Sequence, residues 1–179
     1  HEDDMVAYLP HCTFNLNARA ASIDTPLHAA LPYAHIDHMH PDSVIAIACM
    51  ANSQAITQLV WGGSVGWLPW LRPGYELGQR LKAYNAAHPN LRGIVLAGHG
   101  LFSWGDSAQA CYNNTVDLIE RAQNWLYEER TRRKTAVFGG AKLNALPDTQ
   151  RDRLLTRLMP LMRGIASETG GLTLLHLNT

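Results

Sequence analysis

The sequence predicts an α/β fold with a mixed central sheet flanked by helices. Three observations carry this reading. Apolar spacing alternates along the chain between helical periods and short extended runs. The run Gly93-Ile94-Val95-Leu96-Ala97 has the composition of a buried strand, and it passes through Gly98-His99-Gly100 directly into a second extended run at 101–104. So short a connection favours antiparallel neighbours. Neither a GxGxxG loop nor a Walker loop is present, so a doubly wound parallel sheet built for nucleotides is not expected.

The elements follow in order. The first 20 residues read as irregular, with Pro10 and a short helix near residues 4–9. In Ser22-Ile23-Asp24-Thr25-Pro26-Leu27-His28, Asp24 caps a helix whose first turn carries Pro26, or else points into a site. Residues 34–40 read as a strand, and period two puts Ile36, His38 and His40 on one face. Pro41 removes a backbone donor and starts a helix through Val44 and Ile47. A second helix, 53–60, ends at Gly62-Gly63, and 65–71 is extended with Pro69 marking an edge. Leu77, Leu81 and Tyr84 mark a helix over 75–87. Asp106 is the expected N-cap of a long helix to about residue 133, whose buried stripe reads as Val116, Ile119, Ala122 and Leu126. Phe138-Gly139-Gly140 is read as a loop. A final helix over 148–165 is expected to bury Leu154, Leu155, Leu158 and Leu161 and to kink at Pro160. Residues 170–179 read as an extended tail.

The 179 residues suit one domain, and an apolar fraction of 46% against 17% charged residues is enough for a core. Lys plus Arg equals Asp plus Glu, at 15 each, so no basic excess points to nucleic acid or a membrane surface. Cys12, Cys49 and Cys111 form no CxxC pair and no even disulfide set, which suits a reduced, cytoplasmic setting. No apolar run reaches the roughly 18 residues of a membrane span, and no signal peptide is visible.

Histidine is the unusual component, with nine copies. Two residues apart on a strand, His38 and His40 have Cβ atoms roughly 6–7 Å apart on one face, so both rings can reach one ion. His99, at the end of a buried strand and between two glycines, is the candidate third ligand. Asp24 is the best carboxylate to join them. Three nitrogens and a carboxylate suit Zn²⁺, Mn²⁺ or Co²⁺, with Zn²⁺ first. Against this stands a plainer reading, in which His99 serves only its turn and an isolated HxH pair is no more than surface or hydrogen-bonded core histidines. His28 and His35 read as structural, and His1, His11, His88 and His176 as solvated. Asp37 points away from His38. Glu120, Glu128 and Glu129 read as a solvated helix face, and Trp61, Trp67, Trp70 and Trp104 as core or interface.

Together, Ser22 to His28, His38-Met39-His40 and Leu96-Ala97-Gly98-His99-Gly100-Leu101 with Trp104-Gly105 resemble the class II aldolase/adducin family over about residues 20–130. Within it, residues 9–17, 22–28 and 138–142 look like the aldolase part of bifunctional rhamnulose-1-phosphate aldolase/alcohol dehydrogenase proteins. The resemblance implies that the family's metal histidines fall on His38, His40 and His99, and its acidic residue on Asp24. That acid is typically a Glu that moves a proton in the aldolases. In the related epimerases an Asp in a similar Asp-Thr-Pro-x-His setting looks like a metal ligand, so both roles stay open here.

The family holds substrate phosphate with a Gly-rich segment before these motifs. None precedes Asp24, so the chain is read as one domain and a fragment, without that segment and without a C-terminal dehydrogenase domain. The implied activity is metal-dependent retro-aldol cleavage of a ketose 1-phosphate, with rhamnulose 1-phosphate giving dihydroxyacetone phosphate and lactaldehyde. Alternatives are a pentulose-phosphate 4-epimerase and a non-catalytic, adducin-like interaction module. Family members usually form tetramers, so a homo-oligomer acting on a small phosphorylated sugar is expected.

Overall fold

The computed structural model describes residues 2–15, 19–134 and 143–171, and the chain divides into two compact units, 1–134 and 135–179. The first unit opens with α1 (Glu2–Tyr8), a 3-10 turn (Leu9–Cys12) and α2 (Thr25–Ala29), followed by β1 (His35–Met39), α3 (Asp42–Ala48) and α4 (Ser53–Trp61). It continues through β2 (Val65–Leu68), α5 (Tyr75–Ala87), β3 (Gly93–Leu96), β4 (Gly100–Gly105) and α6 (Ala108–Arg133).

The four strands form one sheet in the order β1-β4-β3-β2. β1 pairs antiparallel with β4, β4 antiparallel with β3, and β3 parallel with β2. The parallel pair needs a crossover, and α5 supplies it. The sheet is therefore mixed, as the two runs flanking Gly98-His99-Gly100 imply.

Period-two alternation splits the core into two layers. Ile94, Leu96, Phe102 and Trp104 face α2 and α5, where Leu27, Leu77 and Leu81 are buried. Val95 and Leu101 face the opposite way, against Val44, Ile47, Trp61, Leu118 and Ala122 of α3, α4 and α6. His38 lies opposite Phe102 in the β1–β4 register, and Asp37 lies opposite Ser103. Adjacent residues of one strand thus serve opposite layers.

Several expectations are corrected. Ser107, not Asp106, caps α6: its backbone is extended and its hydroxyl accepts from the Ala110 N–H at 3.1 Å. The fully buried residues of α6 are Cys111, Thr115, Leu118 and Ala122, a stripe that includes a polar residue. Of the tryptophans read as core or interface, Trp61 and Trp104 are core and Trp70 is 64% exposed. The second unit holds α7 (Asp148–Gly170), which runs on through Pro160. Its Leu154, Leu158 and Leu161 are exposed rather than buried. The expected loop at Phe138-Gly139-Gly140 and the tail beyond residue 171 lie outside the described residues. No helix among the described residues is long and apolar enough to cross a membrane.

Candidate metal centre

The β1–β4 pair carries the site. His38 projects from β1 onto the α2 side and stacks on Phe102, with ring centroids 4.1 Å apart and planes 11° apart. Its Nδ1 lies 3.1 Å from the Leu101 carbonyl oxygen. A carbonyl only accepts, so Nδ1 carries the proton and Nε2 presents a lone pair. His40 follows just past the end of β1, its ring centroid 4.5 Å from that of His38.

His99 arrives from the turn between β3 and β4. Gly98 makes that turn with φ +63°, a region that costs an L side chain strain. Gly100 admits the other strand: a Cβ there would stand 2.7 Å from the Met39 carbonyl and 2.8 Å from the His40 ring. The two glycines flanking His99 therefore have separate jobs, one to turn the chain and one to let β1 approach.

The structure brings the ligand atoms of His38, His40 and His99 within 4.8 Å of one another. The Nε2 atoms of His38 and His99 are 3.2 Å apart. Two nitrogens on one tetrahedral ion at 2.0–2.1 Å would be about 3.3 Å apart, so this spacing fits a shared cation. Asp24, at the N-terminus of α2, sets Oδ2 at 3.9 Å from His38 Nε2 and Oδ1 at 3.9 Å from His99 Nε2. The Ser22 hydroxyl donates to Oδ2 at 3.3 Å. Asp24 Oδ1 and His99 Nδ1 are buried with no hydrogen-bond partner among the described residues. Buried polar atoms are nearly always paired, so the Asp24 oxygen, 3.9 Å from His99 Nε2, marks a place that a ligand would complete.

Burial pushes His38 down to about 4, with the neighbouring His99 and His40 acting in the same direction and the Leu101 carbonyl opposing. Burial likewise lowers His99. Both imidazoles are therefore neutral near pH 7, the form in which histidine ligates a metal. The donor set fits a divalent ion such as Zn²⁺, Mn²⁺ or Co²⁺.

The other candidate residues fall elsewhere. His28 sits behind the centre, 5.3 Å from Phe102 and 6.2 Å from His38 between ring centroids. His88 stacks on Tyr84. Glu129 is held by Arg132 and Arg133, whose hydrogen bonds take its carboxyl down to about 2. Glu120 and Glu128 are exposed. His1 and His176 lie outside the described residues. Sequence reasoning missed two partners, the Leu101 carbonyl and Phe102. A backbone acceptor leaves no mark in the sequence, whereas Phe102 could have been found by pairing the two strands.

The chain is 35% identical over 167 residues to an uncharacterized oxidoreductase, YuxG, from Bacillus subtilis (strain 168), matching 93% of this chain but only 24% of that protein. The chain therefore spans about a quarter of that relative's length. Among solved structures it resembles the N-terminal class II aldolase domain of a conserved protein from Thermoplasma acidophilum, with a TM-score of 0.63 and 30% identity over 70% of this chain and 58% of that one. The family model for the class II aldolase and adducin N-terminal domain matches residues 2–126. The chain thus belongs to the class II aldolase and adducin family.

Proposed function

We propose that the chain cleaves a ketose 1-phosphate by a retro-aldol reaction at a divalent ion held by His38, His40 and His99. Zn²⁺ is the first candidate. Class II aldolases are typically metal-dependent lyases. The observation that carries the reading for this chain is the convergence of three imidazoles, with a buried and unpartnered oxygen of Asp24 3.9 Å from His99 Nε2.

When bound there, the ion supplies Lewis acidity that stabilises the enediolate charge left by carbon–carbon cleavage. The chain's own residues do the rest. The Leu101 carbonyl fixes the His38 tautomer, and Phe102 fixes its ring plane. Asp24 stands 3.9 Å from the Nε2 atoms of both His38 and His99, within reach of a substrate held beside the imidazoles. We assign Asp24 as the proton acceptor, the role the aldolase resemblance implies. Its Oδ1 takes the proton of the hydroxyl on the carbon that becomes the aldehyde, and the Ser22 hydroxyl steadies Oδ2.

The sequence resemblance makes rhamnulose 1-phosphate the first substrate to try, with lactaldehyde as the diagnostic product. An aldehyde is also a substrate for an oxidoreductase, the activity in the name of the longer Bacillus subtilis relative. The Asp24-Thr25-Pro26-Leu27-His28 setting favours a 4-epimerase as the second reading, in which a stereoisomer appears and no free aldehyde.

Asp24→Asn keeps the shape and removes the base. The expected outcome is retained metal with cleavage slowed by about 10²–10⁴-fold. Metal content and rate falling together would make Asp24 a ligand instead.

A further inference from the structure

We propose that Thr115 of α6, acting with Asp37 and Ser103, is a positioning residue for the metal centre. It clamps β1 to β4 from the face opposite the imidazoles, and so sets the separation of His38 from His99. The inference rests on the metal reading above.

The centre is assembled from two strands. His38 and His40 come with β1, and His99 stands immediately before β4. Their approach depends on how β1 lies against β4. Asp37 and Ser103 are opposite each other in that pair, one step along from His38 and Phe102. Alternation turns them to the α6 side. There the Thr115 hydroxyl meets both, 2.7 Å from Asp37 Oδ2 and 2.7 Å from Ser103 Oγ.

Proton counting fixes the directions. Thr115 has one hydroxyl proton, and a carboxylate oxygen can only accept. Thr115 therefore donates to Asp37 and accepts from Ser103. The Cys111 carbonyl, 2.9 Å away, is a further acceptor within reach of Thr115. Burial, and then the charge of Asp37, push the Cys111 thiol up, so Cys111 stays a neutral wall of this cluster.

A strand facing a helix is normally covered by apolar side chains, and burying polar ones costs free energy unless each is paired. Here Ser103 and Thr115 are buried and both are satisfied. A network of this kind accepts one arrangement of its members, whereas an apolar contact tolerates sliding. It lies one residue behind the His38–Phe102 stack, where a fixed strand offset matters most.

The test uses Co²⁺ as the probe, read by chelator competition and by the visible absorption of the bound ion, which reports ligand geometry. Thr115→Val keeps the volume and removes the hydroxyl. It is expected to weaken Co²⁺ binding by about tenfold, in the range seen when support around metal ligands is lost, and to alter the absorption. Thr115→Ser restores the hydroxyl and is expected to restore both readouts. Parent affinity and an unchanged spectrum in Thr115→Val, whatever its melting temperature, would overturn the proposal. Should that variant not fold, Ser103→Ala removes one member and leaves the Thr115–Asp37 bond. Weaker Co²⁺ binding supports the clamp, and parent binding overturns it. A parent protein that takes up no Co²⁺ would sink the metal reading itself, a different result from any of these.

Discussion

Two polar clusters lie back to back on the β1–β4 pair, and neighbouring residues of one strand feed them. Asp37 serves the α6 side, where carboxylate and hydroxyl groups of Asp37, Ser103 and Thr115 are bonded to one another at 2.7 Å. His38 serves the α2 side, where Asp24 Oδ1 is buried without a hydrogen-bond partner among the described residues. Such an atom costs about 1–3 kcal/mol if nothing ever reaches it. A closed network on one face and an open one on the other is the difference between polar groups that hold a fold and polar groups that await a ligand.

The strongest way to break this comparison is to remove an imidazole from the open side. His99→Ala is expected to abolish stoichiometric metal binding and to slow cleavage by about 10³-fold or more, since the ion supplies several kcal/mol of charge stabilisation. Elemental analysis and a lactaldehyde assay read the two effects. Full metal content in His99→Ala would leave His99 as a turn residue and reduce the open face to a packing defect.

The two faces were unequally legible in the sequence. Period two was enough to put His38, on β1, beside His40, one residue past its end, and the glycines around His99 marked a turn with a purpose. The helix at 75–87 has the boundaries its apolar spacing implies. The closed face was not legible. A stripe drawn through apolar residues of α6 picks Val116 and Ile119, while the buried position is Thr115. The reason is physical: Thr115 is buried through partners on β1 and β4, 78 and 12 residues away, and no local pattern announces them. The same limit applies to α7. Its spacing gives an apolar face through Leu154, Leu158 and Leu161, but spacing does not say what, if anything, covers it.

A second, smaller effect sharpens the comparison through pH. In the metal-free protein His38 titrates at about 4, against about 6.5 in an unfolded chain. Between those values the unfolded state binds a proton that the folded state does not. Stability is therefore full above about pH 6.5, falls as the pH drops toward about 4, and loses no more from this group below that, up to about 3 kcal/mol in all. Urea unfolding at several pH values measures it. His38→Asn should flatten that part of the profile relative to the parent. An identical slope in the two proteins would mean that the imidazole is not buried as a neutral group.

The smallest expected effect does the most to separate stability from site geometry. Ser107→Ala removes the N-cap of α6 and leaves Thr115, two turns further on, with its partners in place. A lost cap of this kind costs about 1 kcal/mol. Asp106→Ala should cost less, because Asp106 stands one residue too early to cap. If the clamp acts by placing β1 against β4, and not through general stability, Ser107→Ala will melt earlier yet bind Co²⁺ with the parent's affinity and spectrum. Were metal affinity instead to fall in step with melting temperature in both Ser107→Ala and Thr115→Val, the closed face would be ordinary core. The distinction between the two sides of the strand pair would then reduce to the presence of histidines on one of them.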